Sequence, residues 1–364
     1  MVFAAAAVAV GVALFTYEEI VERRRSRRLV VERIESSALR GVRLSTTYDE
    51  YDIFEVHGYF AAYSRAVNAM LNGHALPIKW LARPYHVSGT ATQVRWSTLH
   101  QKVRTGAVIF NEAKVRLLSD LTVERIERGD PLQLQKTDYF SSLCTNEIVM
   151  QRISSAGRAE PLLDGMRLLS AADGVVLELA ESALSNHIGL STIALTRDSH
   201  LVVARQGKRN AQGSGLLSPA GSGSLDYSDL ERGGVDLGRV LKAAMQRELI
   251  EECGLTNKDL RIQTYLIGFA RLLNRGGKPE FFGFSIVDAM FHELNIPRAE
   301  RDFIASIEGI PLDSADIDAV QACLDTFARK NTSGLSPQLH LALRFLGDFL
   351  AQFPDVLDGH LALS

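Results

Sequence analysis

Cysteine is scarce in this chain, and neither sign of charge is in excess. There are 3 cysteines in 364 residues, and Cys144, Cys253 and Cys323 are too far apart for a zinc site or a disulfide framework. A reducing compartment fits this usage best. The formal net charge of -3 lacks the basic excess that accompanies nucleic-acid binding, so no nucleic-acid partner is expected. The length allows two domains with sizeable cores.

Long uncharged runs are missing except at the N-terminus. Residues 2–17 carry no charge, and arginines cluster at residues 23–28. The run is slightly shorter than the roughly 20 residues of a full membrane span. Because the arginines follow the apolar run, the positive-inside rule places the bulk of the chain in the cytoplasm. We predict an apolar helix over residues 1–20 as a single-pass membrane anchor. The alternative is an alanine-rich helix buried in a cytoplasmic protein or against a partner.

Apolar spacing predicts the secondary structure of the N-terminal half. Residues 18–40 have a charged, helical pattern, and residues 21–47 are predicted to form a juxtamembrane helix or linker. In residues 51–71 apolar side chains recur at helical spacing, which predicts an amphipathic helix. Short β-branched runs in residues 108–123 indicate strands.

The pattern changes in the C-terminal half. Residues 188–196 and 201–205 predict a β-hairpin, and residues 261–273 and 280–287 predict a second pair of strands. A glycine- and serine-rich stretch at residues 207–234 lies between the two pairs. It is followed by a predicted helix at residues 240–253, the central helix of this half. Residues 312–353 predict amphipathic helix with one break.

Three carboxylates crowd the end of the central helix. Glu248, Glu251 and Glu252 lie three and four residues apart, so on a helix they project to one side. Like charges this close repel, and a bound divalent cation is the obvious compensation, because Mg²⁺ prefers oxygen ligands. Arg247 is placed to orient one glutamate through two parallel hydrogen bonds. Gly254 is expected to end the helix.

These residues resemble a known family motif. Residues 247–255 match the core of the Nudix box, Arg-Glu-U-x-Glu-Glu-x-Gly-U, in which U is aliphatic. The upstream half of the box departs from the pattern. Gly233 fills its glycine position, but Arg239 stands where a glutamate is expected. Pro219-Ala220-Gly221 resembles the turn that usually precedes this loop, and residues 222–232 would then be an insertion.

The resemblance implies an α/β fold and a hydrolase. It implies a Nudix α/β/α sandwich with a mixed sheet, and cleavage of a diphosphate linkage in a nucleoside diphosphate derivative with Mg²⁺ or Mn²⁺. Glu248, Glu251 and Glu252 would be metal ligands, and Arg247, Glu251 and Glu252 would be catalytic. The expected substrate-binding residues are Gly221, Ser222, Lys278 and Glu280. Glu280 is also the candidate for a further acid outside the box.

The resemblance covers under a third of the chain, roughly residues 184–287. Residues 182–364 are predicted to form the Nudix domain with C-terminal helices, and residues 48–181 an α+β domain without a recognisable motif. In some family members an added domain shapes the substrate pocket or the dimer, so a homodimer is compatible with the sequence. The alternative function is a nucleotide sensor or regulatory binding module that does not hydrolyse its ligand, an idea prompted by Arg239 and the insertion.

Overall fold

The computed structural model describes residues 29–104, 111–155, 160–207, 215–255, 260–312 and 317–357. The strands are β1 (Leu29–Arg33), β2 (Asp52–Val56), β3 (Tyr59–Tyr63), β4 (Ile78–Leu81), β5 (Ala113–Leu117), β6 (Leu132–Asp138), β7 (Gln151–Ser155), β8 (Leu163–Asp164), β9 (Gly189–Thr196), β10 (His200–Gln206), β11 (Leu217–Pro219), β12 (Gly221–Ser224), β13 (Ile262–Leu272), β14 (Lys278–Val287) and β15 (Ile304–Pro311). The α-helices are α1 (Arg65–Met70), α2 (Ala91–Arg104), α3 (Val123–Arg128), α4 (Tyr139–Leu143), α5 (Met166–Leu169), α6 (Tyr227–Gly233), α7 (Leu237–Cys253), α8 (Ile317–Lys330) and α9 (Pro337–Gln352).

One large mixed sheet organises the chain. Its strand order is β11-β10-β9-β14-β13-β3-β2, with β12 also pairing with β9 and β15 with β10. Strands β14 and β9 run parallel, whereas β13 pairs antiparallel with both β14 and β3. The mixed α/β class predicted from the sequence is therefore confirmed.

Helices α7 and α9 cover opposite faces of this sheet. Successive side chains of a strand point to opposite faces, and β14 shows this division. A Cβ atom added to Gly283 would lie 2.5 Å from the sulfur of Met245 on α7. Phe282, one residue earlier, packs its ring 5.1 Å from the ring of Phe345 on α9. The even-numbered residues of β14 thus share the α9 face.

The predicted elements of the C-terminal half are confirmed within small differences at their ends. Strands β9 and β10 form the expected hairpin, and β13 and β14 pair antiparallel as the second. Helix α7 begins at Leu237, where Asp236 caps it by accepting a hydrogen bond from the backbone of Arg239 at 2.9 Å. The final helical region is broken into α8 and α9, as expected.

The prediction of a helix over residues 51–71 is wrong. These residues form the β2–β3 hairpin and the short helix α1. His57 and Gly58 make the turn at φ angles of 49° and 74°, the positive values that two-residue hairpins require. Strand β3 lies between β2 and β13 and is buried on both faces. It therefore carries apolar residues without the alternation of a half-buried strand, which mimics helical spacing.

The helical prediction for residues 18–40 is also wrong where the structure describes it. Leu29–Arg33 is strand β1, which pairs antiparallel with β7, and Ser36–Gly41 is a 3₁₀ turn. The apolar run at residues 2–17 and the arginine cluster lie outside the described residues, so the anchor stays a prediction. Within the described ranges, no helix is long and apolar enough to cross a membrane.

Two small sheets belong to the N-terminal region. Their strand orders are β1-β7-β8 and β4-β6-β5. The main sheet itself takes in strands from both sides of residue 182, because β3 pairs with β13 through Ala62 and Arg271. The division into domains at residues 48–181 and 182–364 stays a prediction.

A buried arginine ties the N-terminal region to the main sheet. Arg271 on β13 is 1% exposed. It donates hydrogen bonds to the hydroxyl of Tyr48 and to the carbonyl of Gly277, the latter at 3.2 Å. The Tyr48 hydroxyl in turn donates to Asp120, whose carboxylate also accepts from the backbone of Leu179 at 2.9 Å. A charge at such depth is tolerable when it is hydrogen-bonded, as Nε and Nη1 of Arg271 are here.

Replacing Arg271 is expected to destabilise the fold. Removing one partner of a buried charged network typically costs about 3–5 kcal/mol, because the other partner is left unpaired. We expect Arg271→Met to lower the free energy of unfolding by about this amount in urea denaturation. The control is Arg197→Met, which breaks an exposed ion pair to Asp288 and should cost less than about 1 kcal/mol. Equal losses in the two variants would contradict the assigned role of Arg271.

Candidate active site

The end of helix α7 presents the predicted carboxylates. The helix buries Leu241, Met245 and Leu249 against the rest of the chain and ends at Gly254, whose φ of 66° is the left-handed value expected of a C-terminal glycine. Glu248 is buried, Glu252 is half-buried and Glu251 is exposed. The three glutamates thus lie at the edge of the apolar face, with a graded exposure to solvent.

Arg247 contacts several carboxylates at this end of α7. Its Nε and Nη2 donate to the two carboxylate oxygens of Asp229 at 3.0 and 2.9 Å. Its Nη1 lies 3.0 Å from a carboxylate oxygen of Glu248 and 3.0 Å from one of Glu251. Burial lowers the pKa of Arg247, but the bond to Asp229 and the charges of the two glutamates outweigh it and raise the pKa. The guanidinium therefore stays charged.

The glycines of β12 allow this strand to approach α7 closely. A Cβ atom at Gly223 would lie 2.1 Å from Oε1 of Glu248, and one at Gly221 would lie 3.0 Å from Cγ of Leu249. The backbone N–H of Ser222 donates to Oε2 of Glu252 at 3.2 Å. Strand β12 thus contacts Glu252 through its backbone, and Gly221 allows the strand to pack closely against α7.

Two of the glutamates bind protons more readily than usual. Burial, followed by the charges of Glu251 and Asp226, raises the pKa of Glu248 to about 7, although Arg247 and Lys114 lower it. Burial and then the charge of Glu248 raise the pKa of Glu252 well above its usual range, despite the Ser222 N–H. Ionising Glu248 and Glu252 is therefore costly at this end of α7 when no cation is bound.

The donor set fits a hard divalent cation. It consists of carboxylate oxygens, which Mg²⁺ and Mn²⁺ favour, and the described residues contain no ion pair to Glu252. In this conformation no three potential ligands within the described ranges converge closely enough to hold a metal ion.

Sequence reasoning missed several charged residues of the site. Asp226 and Asp229 lie in the segment interpreted as an insertion, where Asp226-x-x-Asp229 has the spacing of a capping box. Lys114, from β5 in the N-terminal region, is buried and bonds to Asp226 and, at 2.7 Å, to Glu112. Glu300 is half-buried, and burial and then the charge of Glu251 raise its pKa. Except for the capping spacing, no local pattern marks these residues.

Arg239 does not lie among these charged groups. It occupies the first turn of α7, its side chain is exposed, and its backbone N–H donates to Asp236. The residue that departs from the box therefore stands at the opposite end of the helix from the glutamates.

Lys278 and Glu280 lie on the other face of the sheet from α7. Both are even-numbered residues of β14, so they share the α9 face with Phe282. Both are buried, and Lys278 Nζ lies 2.6 Å from Oε2 of Glu280. Ser191 donates to the other oxygen at 2.8 Å. The structure does not bring Glu280 together with the three glutamates.

A cavity of about 270 Å³ opens beside this pair. Its lining includes Ser222, Lys278 and Glu280, so three of the four predicted substrate-binding residues share it. Tyr59 and Tyr139, from the N-terminal region, also line it. The cavity and the glutamates thus lie on opposite sides of β12.

His187 supplies an unsatisfied group to the cavity wall. It is 1% exposed, its Nδ1 has no hydrogen-bond partner among the described residues, and its ring stands edge-on to that of Tyr139 at 6.3 Å. Burial, together with the charges of Lys278, Arg275 and Lys114, lowers its pKa well below the usual range. His187 is therefore a neutral polar group at neutral pH.

Comparison with known proteins gives faint likenesses. No protein-family model and no curated protein matches the chain. A Nudix hydrolase from M. smegmatis is 15% identical and aligns with 46% of this chain and 86% of its own, at a TM-score of 0.28. A MutT Nudix hydrolase from Burkholderia pseudomallei is 15% identical, with 44% and 97% covered, at 0.28. A bifunctional NMN adenylyltransferase/ADP ribose pyrophosphatase from Francisella tularensis is 16% identical, with 40% and 41% covered, at 0.23. TM-scores this low carry no argument, so the case for the site rests on its own residues.

Neutralising Glu248 is expected to stabilise the metal-free protein above neutral pH. Because its pKa is about 7 when folded and ordinarily 4.5, the folded state holds the proton more tightly, and stability is lost as pH rises between these values. One pKa unit is worth about 1.4 kcal/mol. In EDTA, Glu248→Gln should raise the free energy of unfolding by roughly 1–3 kcal/mol at pH 8 and change it little near pH 4.5.

The measurement is urea denaturation across this pH range. Glu308→Gln, which alters a half-exposed glutamate paired with Arg205, is the control and should show no comparable pH dependence. A Glu248→Gln protein that is less stable than the parent at pH 8 would show that ionised Glu248 does not destabilise the fold.

Proposed function

We propose that the chain is a metal-dependent hydrolase of the Nudix type, which cleaves a diphosphate linkage in a nucleoside diphosphate derivative. The observation that carries this proposal is that Glu248 and Glu251 both contact Arg247, while Glu252 at the same end of α7 is contacted by a backbone N–H and by no described cation. Buried carboxylates without such compensation are costly. A bound divalent cation would offset the free-energy cost of these carboxylates. It would also account for three glutamates so close together on one helix.

The chain's own residues then take distinct roles. Glu248, Glu251 and Glu252 would hold Mg²⁺ or Mn²⁺, which when bound polarises phosphoryl oxygens and lowers the pKa of bound water. Arg247 holds Glu248 and Glu251 from one side and limits their rotation. Glu251 is the candidate general base, because its side chain is 53% exposed and so open to water. Arg247, Glu251 and Glu252 are the proposed catalytic residues.

The cavity on the other side of β12 is the proposed place for a part of the substrate beyond the diphosphate. Lys278 is paired with Glu280, and Arg275 with Glu147 at 2.7 Å, so these charges are compensated within the protein. The wall otherwise offers hydroxyls, the neutral His187 and two tyrosine rings. Such a lining favours a neutral group that carries hydroxyls or a ring, as in a nucleoside. Gly221 and Ser222 lie on β12 between the cavity and the glutamates, where the Ser222 N–H donates to Glu252, and they are the proposed contacts to the diphosphate.

The alternative is a nucleotide-binding module without hydrolysis. Arg239 motivates it, but the exposed side chain of Arg239 stands at the far end of α7 from the glutamates. A sensor has no need of three repelling carboxylates. We therefore favour the hydrolase.

Replacing Glu252 is expected to abolish turnover. The protein would be screened with Mg²⁺ and with Mn²⁺ against dinucleoside polyphosphates, nucleotide sugars, ADP-ribose, NAD(H) and nucleoside triphosphates, with products identified by mass spectrometry. Glu252→Gln should lower kcat at least about 100-fold on the substrate found, because it removes a charged ligand while keeping the shape. The control is Glu124→Gln, a variant of an exposed glutamate on α3.

Two results would count against the hydrolase. Unchanged metal-dependent turnover in Glu252→Gln would exclude the proposed role of the cluster. Tight nucleotide binding by the parent protein, without product after long incubation, would favour the sensor instead.

The cavity is tested through Tyr139. Tyr139→Leu removes an aromatic wall and should raise KM about 10-fold with a smaller effect on kcat, because a group distant from the reacting atoms contributes mainly to binding. Phe140→Leu alters the neighbouring ring, which does not line the cavity, and serves as the control. An unchanged KM in Tyr139→Leu would remove the cavity from the substrate site.

A further inference from the structure

We propose that Asp229, on α6, is a positioning residue that sets the orientation of Arg247 and through it the glutamates; the inference rests on the proposed function. Asp229 is 4% exposed and lies on α6, 18 residues before Arg247. Its two carboxylate oxygens accept from Nε and Nη2 of Arg247 at 3.0 and 2.9 Å. This parallel pair is the strongest geometry open to the two groups.

The pair decides which edge of the guanidinium meets the glutamates. A guanidinium is planar and has five N–H donors in a fixed fork. With the Nε–Nη2 edge held by Asp229 and Nη2 also 3.4 Å from the carbonyl of Ser224, Nη1 is the donor that meets Glu248 and Glu251, and each lies 3.0 Å from it. Neither glutamate can take two parallel bonds from that edge while Asp229 holds it. Both can therefore turn toward a cation without first breaking a bidentate pair.

Asp229 is itself held in place. Its carboxylate accepts the backbone N–H of Asp226 at 3.0 Å, which closes the capping box at the start of α6. Lys114 bonds to the side chain of Asp226 from β5 in the N-terminal region. Helix α6 and Lys114 of the N-terminal region thus hold the carboxylate of Asp229 in the position from which it orients Arg247.

Without the charge of Asp229, the Nε–Nη2 edge of Arg247 would keep only the longer contacts of Nη2, 3.4 Å to the carbonyl of Ser224 and 3.6 Å to Asp226, and the guanidinium could rotate more easily. Its Nε–Nη2 edge could then take Glu248 or Glu251 in a bidentate pair and withdraw that carboxylate from a cation. Residues 222–232, which depart from the motif, would in this way contribute to the orientation of Arg247. Arg239, exposed on the first turn of α7, takes no part.

The test compares Asp229→Asn with Asp288→Asn in the full chain. The amide keeps the size of the side chain and removes its charge, and Asp288 is a distant partner of an exposed arginine. Mn²⁺ binding is titrated by electron paramagnetic resonance, and kcat and KM are measured on the substrate found. We expect Asp229→Asn to weaken Mn²⁺ binding and to lower kcat by about 10–100-fold each, the range typical of residues that orient metal ligands, with KM little changed. Asp288→Asn should match the parent.

A metal-free measurement separates this inference from the hydrolase proposal. In EDTA, Asp229→Asn, Arg247→Gln and the double variant are unfolded in urea as a double-mutant cycle. Non-additive losses are expected, since the two side chains contact each other. Additive losses, or Mn²⁺ affinity and kcat equal to the parent in Asp229→Asn, would overturn the role of Asp229. If the parent protein hydrolyses nothing, the proposed function fails, while Mn²⁺ affinity and the cycle still decide the role of Asp229.

Discussion

The contact between Arg247 and its surrounding carboxylates is the interaction on which the candidate site depends. Glu248, Glu251 and Glu252 repel one another at one end of α7, and two of them are wholly or partly buried. The guanidinium offsets part of this repulsion, and Asp229 keeps it in one orientation. The close approach of β12 depends on the same arrangement, because Gly223 fits against the carboxylate that Arg247 holds. Ionising these carboxylates is therefore costly, and a hard cation would lower that cost.

The N-terminal region takes part in this arrangement. It contributes Lys114 to the acidic network and Tyr59 and Tyr139 to the cavity. It also contributes two strands to the main sheet and the partners of the buried Arg271. A region without any recognisable motif is thus built into both sides of the candidate site. This is how such a region could govern substrate choice, which the motif itself does not specify.

What the sequence could predict follows from the range of each interaction. Arg247, the three glutamates and Gly254 are neighbours on one helix, so their spacing carries their arrangement. Asp229 and Lys114 reach the site only through the packing of α6 and β5, and spacing along the chain does not reveal such contacts. Strand β3 has the apolar spacing of a helix, because burial on both faces removes the alternation of apolar and polar residues that marks a half-buried strand. Glu280 was expected beside the glutamates, but strand alternation sends it to the opposite face.

The attachment of the β2–β3 hairpin to β13 has a consequence for the order of folding. Just beyond the hairpin, Asn68 accepts the backbone N–H of Phe269 at 2.8 Å, across 201 residues of sequence. During synthesis the hairpin emerges long before the strand it joins, and its open edge must wait for that partner. Contacts so distant in sequence slow folding, and unpaired strand edges promote aggregation. Until β13 has been synthesised, the edge of β3 that pairs with it therefore has no partner strand.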